Sequence, residues 1–311
     1  MATSCLLGIW ILFGLANWML VQGAARSLQA SAQNTAAMSA AYVKQALDGG
    51  SLVLHAMQAL LAEKGVQSEA AYRAFLEGPA ATQALRDRIA NMKEIDKAAF
   101  IASTGEILNF SVVYPPPPIN VADRDYFREQ MVEGAPERSL SASVLDRSSG
   151  KWTFFLAQRV QGGVSRAVLL AQGSGSDTSA FGLAIVGIRA SLLSDFFGQN
   201  RLVDGMVLLL RDDDVLLSGS GVPPTAYGRK LSLDPAVLRE LNGGRAASDG
   251  VVASEPVAGF PARIVVMAGP LDPLGIVRES LPFTATVGLL ASAAVLFGLW
   301  RALRAVGGAS A

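Results

Sequence analysis

The chain has 311 residues, of which 51% are hydrophobic, and its formal net charge at pH 7 is zero. This balance argues against a nucleic-acid partner, because phosphate binding needs a clustered excess of Lys and Arg that no segment shows. A single cysteine, Cys5, and a single histidine, His55, exclude an internal disulfide, a cysteine-based metal site and a histidine-rich zinc centre.

The N-terminal segment predicts a membrane anchor. Residues 1–25 carry no charged side chain, and the apolar run from Cys5 to Val21 is about long enough to span a bilayer. A cleaved signal peptide is the alternative, since Gly23, Ala24 and Ala25 would suit a cleavage site. The missing positive start and the length of the apolar run favour transmembrane helix 1 at residues 1–25.

A second uncharged run extends from Leu281 to Trp300 and is closed by two arginines. The positive-inside bias predicts that this end lies in the cytoplasm. Two spans put both termini on the same side, so residues 26–280 are expected outside the cytoplasmic membrane. We assign residues 273–304 to a helix that includes transmembrane helix 2, and residues 305–311 to a cytoplasmic tail.

A long external helix is predicted for residues 26–67, directly after the first anchor. Residues 27–62 lack proline, and apolar positions recur at alternating steps of four and three, which marks one stripe on a helix. The stripe consists of Val43, Leu47, Gly50, Leu54, Met57 and Leu61. Such a stripe can form a dimer seam or pack on the chain's own domain, and the sequence leaves both open.

Residues 68–198 predict a first lobe in which helices precede an antiparallel sheet. A helix from Ser68 to Met92 is interrupted at Gly78-Pro79. Four prolines at 115–118 hold the chain extended before a short helix at 123–131. Strand patterns bounded by turn residues complete the lobe. The predicted strands are 98–102, 107–113, 139–145, 152–160 and 181–188.

Residues 199–272 predict a smaller second sheet, which follows a connecting helix at 190–197. Its predicted strands are 206–210, 215–217, 251–257 and 262–267. The three aspartates at 212–214 lack the spacing and the terminal glutamate of an EF-hand, so a solvated hairpin turn is expected there. The predicted fold class is therefore α+β, with two antiparallel-sheet lobes and a long N-terminal helix between two transmembrane helices.

Three motifs are the most specific features of the chain. They are Asp-Arg-Asp-Tyr-Phe-Arg at 123–128 after the proline-rich link, Trp-Thr-Phe-Phe-Leu-Ala-Gln-Arg at 152–159, and Phe-Gly-Leu-Ala-Ile-Val at 181–186. Together with the membrane helix and the long external helix, they resemble the double Cache sensors, which are PAS-related extracytoplasmic domains of bacterial receptors. The resemblance covers about residues 26–304.

The resemblance implies different roles for the two lobes. The membrane-distal Cache lobe, at 68–198, would bind a small ligand, and 199–272 would form the membrane-proximal lobe. It also implies a homodimer in the bacterial inner membrane with a periplasmic central domain. Such sensors precede histidine kinases, diguanylate cyclases or chemoreceptor signalling regions. We expect a diguanylate cyclase or a histidine kinase as the cytoplasmic output, which this chain does not contain.

The resemblance further implies a set of ligand-binding residues. Arg124 matches the arginine that grips a ligand carboxylate, and Tyr126 and Phe127 match the aromatic pair that walls the pocket. A guanidinium offers a carboxylate a planar fork of donors, and aromatic walls exclude water from that pair. The alternative is that Arg124 pairs with Asp123 or Asp125, and that Tyr126 and Phe127 are core residues. The full candidate site comprises Arg124, Tyr126, Phe127, Trp152, Arg159 and Phe110.

The expected ligand is a carboxylate or another small anion. The amino-acid-binding subset of these sensors carries an acidic residue after the strand that corresponds to Ala184–Ile188. Arg189 stands in that region here, so an α-amino group would lose its counter-charge. We therefore expect an organic acid in preference to a free amino acid.

Two other functions remain open from the sequence. A membrane-tethered hydrolase would use a serine near Gly219-Ser220-Gly221, but the nucleophile-elbow pattern is not satisfied there and His55 lies in a distant helical stretch. An assembly module would dimerise through the helix at 27–62 without a ligand. We expect the chain to be no enzyme, to bind no nucleic acid, and to need neither a cofactor nor a metal.

Overall fold

The chain forms a long helix at each end and two antiparallel sheets between them, so the α+β fold class predicted from the sequence is confirmed. The structure is a computed structural model. It describes residues 2–161, 180–200, 202, 205–232, 234, 251–269 and 273–307.

The helices and strands follow the predicted order. The helices are α1 (Ala2–Glu63), α2 (Glu69–Leu76), α3 (Pro79–Ile89), α4 (Asp125–Gln130), α5 (Ala190–Asn200) and α6 (Pro273–Gly307). The strands of the first sheet are β1 (Ile95–Ala102), β2 (Ile107–Phe110), β3 (Ser139–Leu140), β4 (Val144–Leu145), β5 (Trp152–Val160) and β6 (Gly182–Arg189). Those of the second sheet are β7 (Met206–Arg211), β8 (Leu216–Ser220), β9 (Val252–Pro256) and β10 (Ala262–Met267).

The helix α1 joins the predicted anchor and the predicted external helix without a break. Its apolar stripe is buried in the main hydrophobic core, where Val43, Leu47 and Leu54 have no exposed surface. At Gly50, a Cβ atom would lie 2.8 Å from Leu156 Cδ1, so the glycine lets the helix approach β5 closely. The stripe therefore packs on the chain's own sheets, which decides between the two alternatives that the sequence left open.

The interruption predicted in the second helical stretch is confirmed. Ser68 caps α2, because its Oγ accepts a hydrogen bond from the backbone amide of Ala71 at 3.2 Å. The chain leaves the helix after Leu76, and Pro79 opens α3, where its missing amide costs no helical hydrogen bond. These two short helices lie beside β1 and β2, and their buried apolar residues belong to the same core as α1.

The first sheet has the strand order β2-β1-β6-β5-β3, and β4 also pairs with β5. Successive side chains of a strand point to opposite faces, so the sheet buries two separate sets of residues. Ala98 and Phe100 of β1 belong to the core that includes α1, whereas Ala99 and Ile101 belong to a core that includes α4. The second of these faces carries the candidate site.

The strand predicted at 139–145 is broken into two short pieces, β3 and β4. The side chain of Ser141 accepts a hydrogen bond from the backbone amide of Phe155 at 2.8 Å, in place of a backbone carbonyl. The amide of Ala142 donates to Asp125 Oδ2 at 2.7 Å instead of to a strand. Because side-chain oxygens replace backbone carbonyls in these two hydrogen bonds, regular pairing with β5 stops between Leu140 and Val144.

The second sheet has the order β8-β7-β10-β9 and matches the four strands predicted for it within a few residues. We call β1–β6 with α2–α4 the first lobe and β7–β10 the second lobe. Two of the three aspartates of the β7–β8 hairpin pair with arginines. Asp213 pairs with Arg211 at 2.9 Å, and Asp214 pairs with Arg263.

In the part of the chain that the structure describes, two helices are long and apolar enough to cross a membrane, and they flank the two lobes. The candidate spans lie within Leu7–Glu63 of α1 and within Pro273–Arg301 of α6. The two helices pack along each other, and Ser280 Oγ donates a hydrogen bond to Asn17 Oδ1 at 3.0 Å. This arrangement agrees with the two-span organisation expected from the sequence.

Candidate ligand-binding site

A cavity of about 30 Å³ lies in the first lobe, on the sheet face opposite α1. It has room for about two water molecules. Its aliphatic lining comes from β1, β2, β4, β6 and the segment before α4: Ala99, Ile107, Ile119, Val121, Val144 and Ile185. Its aromatic lining consists of Phe110, Tyr126 and Phe155.

Charged and hydroxyl groups gather at the same cavity. They are Lys97, Arg124, Asp146, Arg147 and Ser148. Lys97 comes from β1, Arg124 from the N-cap of α4, and the other three from the turn between β4 and β5. An apolar hollow with a few converging polar groups is typical of a small-molecule site.

Arg124 is half-buried and lines the cavity. Its backbone is extended, with φ −78° and ψ 148°, and its amide donates to the Val121 carbonyl at 3.0 Å, which fixes the start of α4. Its guanidinium forms no hydrogen bond or ion pair with any residue that the structure describes. The guanidinium donors therefore remain available to a group that enters the cavity.

The two acids beside Arg124 are engaged elsewhere. Asp123 pairs with Arg147, with Oδ2 2.7 Å from Nη2. The hydrogen bond from Arg147 is the main cause that lowers the pKa of the Asp123 carboxyl, so this acid stays ionised and paired. Asp125 accepts hydrogen bonds from the amides of Tyr126 and Ala142. The pairing of Arg124 with a neighbouring acid, which the sequence left open, does not occur.

Asp125 also reaches the second lobe. Its Oδ2 lies 3.1 Å from Nη1 of Arg211, at the end of β7, and the same nitrogen donates to the Leu140 carbonyl at 2.8 Å. The carboxylate thus holds the start of α4, the segment after β3 and the second sheet together.

Lys97 and Asp146 form a buried ion pair at the cavity. Lys97 Nζ lies 2.6 Å from Asp146 Oδ2 and 3.2 Å from Asp96 Oδ2, and its side chain is only 3% exposed. It also donates to the hydroxyls of Ser148 and Ser149. Burial opposes ionisation of Asp146, but the hydrogen bonds from Lys97 and the two serines outweigh it and lower the pKa of this carboxyl.

Tyr126 closes the inner wall of the cavity. It is 2% exposed, and its ring lies against Phe155 with 5.2 Å between centroids and an interplanar angle of 41°. Burial raises the pKa of its phenol, so the hydroxyl stays protonated. The wall is therefore apolar with one uncharged hydrogen-bonding group.

The structure brings three of the six predicted site residues to the cavity: Arg124, Tyr126 and Phe110. The other three lie outside its lining. Phe127 is buried in the same core without facing the cavity. Trp152 packs edge-on against Tyr227 of the second lobe, with 6.1 Å between centroids. Arg159 Nη2 donates to the Ala135 carbonyl at 3.4 Å.

Arg189 does not line the cavity, contrary to the position that the resemblance implied. It ends β6 and pairs with Asp96 on β1. The acid that does line the cavity is Asp146, which the sequence reasoning missed together with Lys97 and Arg147. A charged pair inside an otherwise apolar strand, Asp96-Lys97, was the signal that could have identified this network.

No group of His, Cys, Asp and Glu side chains that could hold a metal ion occurs among the described residues. The two residues considered for a hydrolase lie on different elements. His55 is exposed on α1, whereas Ser220 is buried at the end of β8.

Solved sensor domains share this fold. The sensor domain of the histidine kinase DctB from V. cholerae gives a TM-score of 0.51, covering 79% of this chain and 99% of that one at 14% identity. The ligand-binding domain of the Pseudomonas fluorescens chemoreceptor CtaA in complex with L-isoleucine gives 0.52, covering 81% and 96% at 15% identity. With L-leucine, the same domain gives 0.52, covering 80% and 97% at 15% identity.

No family model and no curated protein matches the chain. The structural likeness gives the chain the fold of the extracellular sensor domains of histidine kinases and chemoreceptors. This agrees with the resemblance to double Cache sensors that the sequence motifs indicated.

Proposed function

We propose that the chain is the sensing part of a transmembrane receptor, and that its first lobe binds a small carboxylate through Arg124. The observation that supports this most is the state of that side chain. Arg124 is half-buried and lines the cavity, and its guanidinium has no hydrogen-bond partner among the described residues, although two carboxylates flank it in the sequence. Burying a cation without a partner is unfavourable, so a ligand anion would stabilise it.

The surroundings of Arg124 suit a carboxylate. A guanidinium binds a carboxylate through two parallel hydrogen bonds, and such charge-assisted bonds are stronger than neutral ones. Phe110, Tyr126 and Phe155 exclude water on the other side, which strengthens the electrostatic attraction. The remaining lining is aliphatic and fits the hydrocarbon part of an organic acid.

The signal would reach the membrane through the contact between the lobes. A ligand on Arg124 shifts α4, and the adjacent Asp125 passes that shift to Arg211 in the second sheet. The second lobe is followed by α6, which carries the second apolar stretch. A ligand shifts this equilibrium only by its differential affinity for the two states, on a usual scale of about 1 to 3 kcal/mol.

The location and the output are also part of the proposal. The lobes would lie in the periplasm of a bacterium, with α1 and α6 in the inner membrane. The output would be a diguanylate cyclase or a histidine kinase. The sensor domain of the histidine kinase DctB has the same fold, which supports the second of these outputs.

We propose the outward face of α1 as the contact surface of a homodimer, because the inward stripe is buried in the chain's own core. Exposed residues recur on that face at steps of three and four, so they lie on one side of the helix. They are Met38, Ala41, Gln45, Asp48, Leu52 and His55.

Titration calorimetry of the full chain in lipid nanodiscs against a panel of organic acids, amino acids and amines tests the binding proposal. We expect a carboxylate to bind, and Arg124→Gln to weaken it about tenfold or more. The melting temperature of Arg124→Gln should not fall, because the guanidinium makes no hydrogen bond with any described residue.

The matched control is Arg128→Gln, which removes an exposed arginine one turn further along α4. It should bind the carboxylate as the wild type does. If no carboxylate in the panel binds, or if both variants lose binding equally, the proposal is wrong.

A further inference from the structure

We infer that Lys97 occupies the place of a ligand ammonium group, so that the site selects a singly charged carboxylate without an amino group. This inference rests on the proposed function and specifies the ligand class of the same site. It concerns two residues that the motif comparison did not assign, Lys97 and Asp146. Both line the same cavity as Arg124.

The charges around the cavity are paired with one exception. Lys97 lies between Asp146 and Asp96, and Asp96 also pairs with Arg189, so these four residues together are neutral. A second pair, Arg147 with Asp123, is neutral as well. Among the described residues, this leaves Arg124 as the cation of the lining that has no carboxylate partner. One uncompensated positive charge matches one carboxylate.

The Lys97 ammonium is bound as a ligand ammonium would be. Its Nζ donates to Asp146 Oδ2 at 2.6 Å and to the hydroxyls of Ser148 and Ser149 at 2.9 Å and 3.3 Å. It also lies 5.7 Å from the centre of the Phe110 ring, within the range of a cation–π contact. A carboxylate, hydroxyls and an aromatic face are the groups that recognise a primary ammonium.

The same Asp146 oxygen, Oδ2, accepts hydrogen bonds from several donors. Besides Lys97, it accepts hydrogen bonds from Ser148 Oγ at 2.6 Å, from Ser149 Oγ at 2.7 Å and from the Ser149 amide at 2.8 Å. An α-ammonium group arriving here would bring a second cation next to Lys97 without a second acid to neutralise it. Repulsion between the two cations in a partly dry site therefore disfavours an amino acid.

A second carboxylate on the ligand is disfavoured for a related reason. Arg147 and Lys97 already have acidic partners, so a dicarboxylate would leave one charge uncompensated or would have to break an existing ion pair. Leaving a buried charge without a partner is strongly unfavourable. The small cavity and its aliphatic lining favour a short hydrocarbon chain on the single carboxylate.

The experiment compares three ligands with the same number of carbon atoms: propionate, L-alanine and malonate. Their affinities are measured by calorimetry on the full chain in nanodiscs. We expect the wild type to bind propionate about tenfold or more tightly than either L-alanine or malonate. Equal or tighter binding of L-alanine would overturn the inference and leave a carboxylate sensor intact.

The variant Lys97→Met removes the internal ammonium and frees Asp146 for a ligand. We expect the ratio of L-alanine affinity to propionate affinity to rise about tenfold or more. If this variant does not fold, as circular dichroism would reveal, Lys97→Gln serves for the same comparison, because its amide can still hydrogen-bond to Asp146. An unchanged ratio in the folded variant contradicts the inference.

The matched control is the double variant Lys97→Met with Asp146→Asn, which removes both charges of the pair. It has neither the Lys97 cation that repels an ammonium group nor an anion that binds one, so its ratio of L-alanine affinity to propionate affinity should rise less than that of Lys97→Met. An equal rise in the double variant would overturn the inference, because the gain would then come from space and not from the charge of Asp146. If the wild type binds no carboxylate in the wider panel, the proposed function itself fails, which is a different result from a lost preference.

Discussion

Asp125 of α4 and Arg211 of β7 form an ion pair between the two lobes, with Oδ2 of the aspartate 3.1 Å from Nη1 of the arginine. Asp125 follows directly after Arg124, so the residue that we propose to bind a ligand and the residue that joins the lobes are neighbours in the chain. Arg211 also binds the Leu140 carbonyl and Asp213, and its side chain is only 15% exposed.

We expect Arg211→Gln to lower the free energy of unfolding by about 1 to 3 kcal/mol, because it leaves the carboxylate of Asp125 and the carbonyl of Leu140 without a charged donor. Chemical unfolding of the full chain in detergent measures this change. The control is Arg229→Gln, an exposed arginine of the second lobe. Similar losses in the two variants would show that the ion pair does not stabilise the junction.

The same variant separates binding from signal relay. We expect Arg211→Gln to bind a carboxylate nearly as well as the wild type, because Arg211 does not line the cavity. In the wild type, the ligand should change amide hydrogen exchange in β7 and β8, and in the variant that change should be much smaller. A full response in the variant would mean that the coupling uses another route.

A second contact between the lobes depends on Gly228. Its φ is +74°, and a Cβ atom there would lie 2.0 Å from the Ser143 carbonyl oxygen, which follows β3 in the first lobe. Gly228→Ala should therefore destabilise the protein both through the left-handed backbone and through this clash. We expect a loss of more than about 1 kcal/mol, measured by chemical unfolding.

Gly134 provides the matched control for that substitution. Its φ is +73°, but no atom lies within 4 Å of the position that a Cβ would take. Gly134→Ala thus carries only the backbone cost, and the difference between the two variants isolates the contact with Ser143. If Gly134→Ala is as destabilising as Gly228→Ala, the close contact between Gly228 and Ser143 does not add to the cost of the substitution.

The two apolar helices meet where Ser280 Oγ donates to Asn17 Oδ1. We expect the pair Asn17→Cys and Ser280→Cys, in a Cys5→Ser background, to form an intramolecular disulfide on mild oxidation, since the two side chains are in contact. The shift in electrophoretic mobility that reduction reverses is the measurement. The pair Trp18→Cys and Ser280→Cys is the control, because Trp18 is 58% exposed. Equal cross-linking of both pairs would contradict the packing of α1 on α6.

Much of the fold follows from local chemistry that the sequence displays. The strand at 152–160 and the break at Gly78-Pro79 were predicted within a residue, because alternation and a proline act through immediate neighbours. The strand at 139–145 was predicted as continuous and is not. There the hydroxyl of Ser141 and the carboxylate of Asp125 accept hydrogen bonds from backbone amides, in place of backbone carbonyls. These hydrogen bonds join residues that are distant in the sequence, so local patterns do not predict them.

The sequence by itself determined the two apolar helices, the α+β order of the elements and the position of Arg124 in a motif. Only the tertiary structure decided which charges are paired. A strand, a turn and a helix start converge on one sheet face, which brings Lys97, Asp146 and Arg147 to the same cavity as Arg124. Arg189 instead pairs with Asp96 and does not line the cavity. Ion pairing depends on distances of a few ångströms between remote residues, and linear spacing does not encode these distances.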